Sequence, residues 1–183
     1  STIDDICWTL NIRGNDIDFF PLVLSYGIIT MDSFELYIDE KKLDDKLKAK
    51  LAKDGVNLHP YNDIYEDVKK FGSDVVAMID PGKLNYALFN NIPENVKTVK
   101  KRNPAILMKA IKNPIEIENI RKAQIKDSVA HVRFMKWLKE NVGKMRITEM
   151  SASDKLDEFR AEMGKFIRPS FEPISSFGEH GAI

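Results

Sequence analysis

Three histidines, His59, His131 and His180, a single cysteine, Cys7, and the pair Ser175 and Ser176 are the side chains of this 183-residue chain best suited to metal binding or nucleophilic chemistry. A metal ion needs several His, Cys, Asp or Glu groups brought together. His131 follows Asp127 by four residues, so a helix would put both on one face. There they can either hold a cation or form a hydrogen-bonded surface pair, and the second reading is preferred. His59 precedes Pro60 and reads as a surface imidazole in a loop. Cys7, between Ile6 and Trp8, reads as a buried and inert thiol, and Trp8 as core. Ser175 and Ser176 lie near Gly178 and His180 but lack the surroundings of a nucleophile elbow. No glycine-rich phosphate loop of recognised spacing occurs, so these residues alone do not compose a complete active site.

Composition narrows the classes further. Lys and Arg number 28 and Asp and Glu 28, giving zero formal net charge and no overall field toward nucleic acid or an anionic membrane. The basic clusters at 41–53 and 97–102 read as solvated faces, the first being interleaved with Asp44, Asp45 and Asp54. No stretch reaches the roughly 18 apolar residues of a membrane helix. The opening residues are acidic where a signal peptide needs a basic region. A lone cysteine makes no internal disulfide, in keeping with a reducing compartment. A cytoplasmic protein without nucleic-acid or membrane partners is the expectation.

Any chemistry must be positioned by the elements around it. Residues 21–30 are rich in aromatic and β-branched types and 33–39 alternate, with Met31-Asp32 between, which predicts a β-hairpin. Leu43, Leu47 and Leu51 predict an amphipathic helix closed by Gly55, followed by a short strand at 56–58. Asn62 or Asp63 is expected to cap a helix presenting Ile64, Tyr65, Val68 and Phe71. The apolar run 75–79 predicts a buried strand. Asp80-Pro81 is expected to open a helix over 83–90, and 96–99 and 106–108 are weaker strand candidates. The alternation predicts an α/β sheet domain over 1–111.

Beyond that boundary the pattern changes. Asn113-Pro114-Ile115-Glu116 has the form of a capping box with proline at the first helical position. It opens the longest helix, with a stripe of Ile117, Ile120, Ala123, Ala130, Phe134, Trp137 and Leu138 that is expected to expose apolar surface. Thr148 should cap a second helix to about Met163, burying Met150, Leu156 and Phe159. Residues 166–183 read as a strand, a glycine-bearing turn and a strand start that is not completed at Ile183, as if the chain were cut there.

Several of these segments resemble one family. Asp5-Ile-Cys-Trp-Thr-Leu-Asn-Ile-Arg-Gly-Asn-Asp-Ile17 and the strand after Pro21 look like the opening of the middle domain of three-domain Xaa-Pro aminopeptidases (aminopeptidase P). The runs 110–116 and 120–127, Thr148-Glu149, Ser170-Phe-Glu-Pro-Ile-Ser-Ser176 and Gly181-Ala-Ile183 resemble the entry into that family's catalytic domain. The similarity spans nearly the whole chain in order. It implies a creatinase-N-like mixed sheet flanked by helices at 1–111, then, at 112–183, the opening helices and hairpin of an incomplete pita-bread domain.

The activity implied is that of a metallo-exopeptidase removing the residue before proline, in a homodimer with two divalent ions, usually manganese, polarising the imide carbonyl and supplying hydroxide. The family's ligands, two aspartates, a histidine and two glutamates, have no matching positions here, so this segment is expected to bind no metal pair and to turn over no peptide. The resemblance makes Phe171 a candidate wall for the side chain preceding proline, against ordinary core packing. Asn11 and Arg13, with Gly14, match a loop facing the catalytic cleft; Arg13 can reach a peptide carbonyl or carboxylate, or form an ion pair with Asp16 or Asp18. His180 stands where such sequences more often hold asparagine and is expected to be a turn residue. A non-catalytic interaction module, or a creatinase or prolidase-like hydrolase, remains open.

Overall fold

The computed structural model describes residues 2–181, which separate into two compact units. The first takes in the residues up to Ile17 together with Pro21–Ile111, and the second Asp18–Phe20 with the residues from Lys112 onward.

The first unit is built on a three-stranded sheet. Strands β1 (Ser25–Ile29) and β2 (Phe34–Ile38) form the expected antiparallel hairpin, and β3 (Val56–His59) adds to β2 in parallel. The hairpin turn is closed by Thr30, whose N–H donates to the Ser33 carbonyl at 2.9 Å and whose hydroxyl accepts from the Asp32 and Ser33 amides. Residues 21–24, read as strand, are not in the ladder. Their backbone serves the neighbouring loop instead: Gly14 N–H donates to Pro21 O, Asp16 N–H to Leu22 O, and Leu24 N–H to the Asp16 carboxylate.

One face of the sheet is covered by α1 (Ile3–Leu10), a helix the sequence reading did not assign, and by α2 (Asp45–Lys53), capped by Asp44 and followed by Gly55 at φ +78°. Ile6, Cys7, Leu36, Ile38, Leu51 and Val56 form this core. Tyr37 gathers Ile64, Val68 and Leu88 into a second cluster. The expected helix over 62–71 is broken into 3-10 turns on either side of α3 (Ile64–Asp67), although Ile64 and Val68 are buried as read.

The remaining elements carry three corrections. Strand β4 (Val76–Ile79) pairs only with β5 (Lys97–Lys100), in parallel, among the described residues; Val76 and Met78 are exposed on one face and only Ile79 is buried. The run 75–79 is therefore strand but not fully covered. Asp80-Pro81 makes a turn, the Asp80 carboxylate accepting from Gly82 N–H, while helix α4 (Tyr86–Asn91) starts later, where the Asn85 side chain accepts from Ala87 and Leu88 amides. Residues 106–108 lie in a helix, α5 (Ala105–Ala110), not a strand. A three-residue apolar run fits either period, and Asn103, whose side chain accepts from Ala105 N–H, settles it locally.

In the second unit α6 (Pro114–Asn141) opens on the expected capping box: the Asn113 side chain accepts from Glu116 N–H at 2.9 Å, and the Glu116 carboxylate accepts from Asn113 N–H at 2.8 Å. Helix α7 (Glu149–Glu162) is capped by Thr148, with Ser151 as the reciprocal partner. Of the apolar stripe, Ala130 is buried, Phe134 and Trp137 stack with centroids 6.1 Å apart, and Ile120 is exposed. Leu156 and Phe159 are half-buried, but Met150, in the first turn of α7, is 75% exposed and not buried as expected. No strand forms in the described part of 166–181; the chain runs irregularly to a 3-10 turn at Gly178–Gly181. A strand needs a partner for its amides and carbonyls, and none stands beside this segment among the described residues. The strand start read at 182–183 lies outside the described residues. No helix among the described residues is long and apolar enough to cross a membrane.

Candidate functional site

In the second unit, α6, α7 and residues 166–175 enclose a cleft of about 630 Å³. Ile120, Phe134 and Leu156 line its apolar part, Phe171 its outer wall, and Asp127 and Arg160 its charged part. Phe171 is 63% exposed, so it is not packed into a core within this unit. Arg160 Nε donates to Asp127 Oδ1 at 2.8 Å and its Nη1 to Asp157 Oδ1 at 3.0 Å. Asp127 is thereby occupied by a cation of the protein itself.

His131 completes the surface pair the spacing suggested. Its Nδ1 lies 2.9 Å from the Asp127 backbone oxygen and 3.4 Å from its carboxylate. A carbonyl oxygen only accepts, so Nδ1 carries the proton and is not available to a metal. Among the described residues no group of three His, Cys, Asp or Glu side chains is placed to hold a metal ion.

The first unit holds a smaller pocket, of about 340 Å³, beside Arg13, Asp16 and Lys42. Arg13 is exposed, and its Nη1 donates to the carbonyls of Cys7 at 3.2 Å and Ile12 at 2.8 Å, tying the guanidinium to the end of α1. The ion pair weighed for Arg13 does not form with Asp16, which binds Lys42 Nζ at 2.7 Å; Lys42 together with the Leu24 amide holds the Asp16 carboxyl below its ordinary value. Asn11 caps α1 in the left-handed region at φ 51°, a conformation asparagine tolerates better than most residues. Asn11 and Arg13 thus share one loop, while Phe171 belongs to the other unit.

Gly14 shows why that loop admits no larger residue. A Cβ there would stand 2.7 Å from Val23 Cβ and 3.0 Å from the Leu22 carbonyl oxygen, and Val23 is buried. Gly14→Ala is expected to cost about 2 kcal/mol, seen as a lower midpoint in thermal unfolding followed by circular dichroism.

Cys7 is buried, as read, its sulfur accepting from Val23 N–H at 3.5 Å; burial pushes the thiol up. Trp8 is half-buried. His59 is not a loop imidazole but the last residue of β3, 2.6 Å from Glu35 Oε2 and stacked on Tyr37. Serine 33 first, then His59, hold the Glu35 carboxyl below its ordinary value.

Two carboxylates have partners that the sequence reading did not assign. Asp5 is 2% exposed in α1 and accepts from Lys109 Nζ at 2.8 Å, Asn103 Nδ2 at 2.9 Å and the Thr2 hydroxyl at 3.1 Å; Lys109 also pairs with Asp4. Glu149 binds the backbone of Phe177 and the ring of His180, which is in a turn as expected. Apart from Thr2, three residues away, the Asp5 partners lie 98 and 104 residues off, and those of Glu149 28 and 31, beyond any local spacing rule.

Comparison with known proteins supplies the context for these residues. Residues 1–116 match the Creatinase/Prolidase N-terminal domain, and residues 118–183 match Metallopeptidase family M24. The chain is 36% identical over 194 residues to the probable Xaa-Pro aminopeptidase P of Neurospora crassa, covering 100% of this chain and 28% of that protein. It is 37% identical over 190 residues to Xaa-Pro aminopeptidase 1 of Dictyostelium discoideum, covering 100% of this chain and 30% of that protein. A crystal structure of X-prolyl aminopeptidase from Caenorhabditis elegans, described as a cytosolic enzyme with a di-nuclear active site, superposes with a TM-score of 0.83 at 32% identity, over 92% of this chain and 28% of that one. The chain thus spans less than a third of the length of these relatives.

Proposed function

The chain belongs to the aminopeptidase P family, combining a creatinase-N-like α/β region with the start of a pita-bread region, and from that premise we propose that it forms part of a metal-dependent peptidase removing the N-terminal residue before proline. The observation that carries the reading is the order of the two matched regions, 1–116 and 118–183, on one chain that superposes on the C. elegans enzyme. A cytoplasmic homodimer using two divalent ions, manganese by preference, completes the proposal. The described residues offer no group of three ligands, so the ions are assigned to none of them and no step is derived through them.

These residues are proposed to shape the substrate's surroundings. Phe171, exposed at the wall of the cleft, would bury the side chain that precedes proline. Arg13 Nη1 is committed to two backbone carbonyls, which fixes the guanidinium plane; its other donors would meet a peptide carbonyl or carboxylate. Asn11 holds the conformation of the loop that bears Arg13.

Phe171→Ala tests the reading in the protein extended to the length of its relatives. The expected result is a KM raised roughly fivefold for Xaa-Pro peptides with a large apolar first residue, and little change when that residue is glycine. Equal effects on both substrates would return Phe171 to a packing role. Hydrolysis of dipeptides alone, or of creatine, would favour another pita-bread hydrolase.

A further inference from the structure

One carboxylate joins the start of α7 to the turn that follows Ser176. Glu149 Oε1 accepts from the Phe177 amide at 2.6 Å and lies 3.0 Å from His180 Nδ1, with Oε2 at 3.1 Å from the same nitrogen. A carboxylate only accepts, so Nδ1 of His180 carries the proton in this contact. Burial does not hold the turn in place: Ile174 and Phe177 are 79% and 84% exposed. Gly178, at φ +61°, lets the chain fold back so that the amide and the imidazole converge on one side chain. The Phe177 amide, and after it His180, hold the Glu149 carboxyl below its ordinary value, as bonds to its charged form require.

We propose that Glu149 is a positioning residue that clasps the turn Phe177–Gly181 to the first turn of α7, with His180 as the second arm of the clasp. Its bearing on catalysis rests on the peptidase reading, in which this turn leads into the catalytic region. The clasp itself does not rest on that reading.

Amide hydrogen exchange by NMR on this chain tests it, with Phe177 as the reporter and the buried Ala130 of α6 as the control. Glu149→Ala is expected to speed exchange at Phe177 about tenfold. Glu149→Gln, which keeps an acceptor oxygen, should restore part of the protection, and His180→Ala should lose less than Glu149→Ala. Ala130 should not change in any of them. Equal exchange at Phe177 in Glu149→Ala and the parent would overturn the clasp. So would loss of protection at Ala130 as well, since Glu149 would then serve the whole fold. In the protein extended to the length of its relatives, Glu149→Ala should lower kcat for an Xaa-Pro peptide more than it raises KM. If the parent cleaves no such peptide, the peptidase reading fails while the exchange result stands.

Discussion

Replacing Asp5 with alanine is expected to destabilise the first unit by about 2 kcal/mol, the cost of removing the buried acceptor shared by Lys109, Asn103 and Thr2 while Lys109 keeps Asp4. Asp5 is 2% exposed, and Lys109 Nζ, on a partly exposed side chain, lies 2.8 Å from it, so the pair is desolvated on the carboxylate side and is worth more than a surface one. Burial alone would raise the Asp5 carboxyl; the Lys109 ammonium and the Thr2 hydroxyl outweigh it and hold the group below its ordinary value. The sign of the pH dependence follows. A carboxyl depressed in the folded state contributes stability above its unfolded value near 4, and that contribution is lost as pH falls through the folded value. Urea unfolding at pH 7 and at pH 3 should therefore separate Asp5→Asn from the parent chain more widely at pH 7. An equal gap at both would mean that Asp5 acts through packing alone.

Leu36→Ala is expected to cost about 3–4 kcal/mol, lowering the thermal midpoint by roughly 15 °C for a unit of this size. Leu36 has no exposed surface at the centre of β2, opposite Gly27 on β1 and Leu58 on β3, in the cluster with Ile6, Ile38, Leu51 and Val56. Gly27 cannot fill the space, since even a Cβ there would stand 2.7 Å from the Phe34 ring. The cavity therefore persists, which places the substitution toward the costly end. Leu36→Met, which nearly conserves volume, should cost less than about 1.5 kcal/mol. Calorimetry on both variants checks the pair, and similar losses in the two would argue against a cavity mechanism.

What could be read from the sequence was what neighbours in sequence decide. Asn113 and Glu116 satisfy each other's amides within one turn, so the start of α6 was legible to the residue. The same holds for the Thr30–Ser33 hairpin turn, whereas the Asp44 cap of α2 was not read from the sequence. Where local signals were balanced, a nearby cap or the presence of a partner strand chose. Residues 106–108 fit strand or helix, and the helix followed from Asn103; 166–176 had strand composition but no strand beside them among the described residues.

The candidate site divides along the same line. Arg13 was recognisable by resemblance, but its bonds to the Cys7 and Ile12 carbonyls depend on how α1 ends, and α1 itself was not anticipated. Asp5 stands among the acids of the opening residues, and nothing nearby in sequence marks Lys109 and Asn103 as its partners. Glu149 likewise shows in sequence only its place after Thr148, and its partners Phe177 and His180 lie 28 and 31 residues on. Charged groups that serve positions far along the chain leave no period in the sequence.

The most direct measurement is release of the N-terminal residue from paired peptides, Xaa-Pro and Xaa-Ala, by the protein extended to the length of its relatives, before and after removal of divalent ions and on adding manganese back. The expected result is cleavage of the Xaa-Pro peptide alone, lost on chelation and restored by the metal. Metal-independent release, or equal release from the Xaa-Ala peptide, would contradict it.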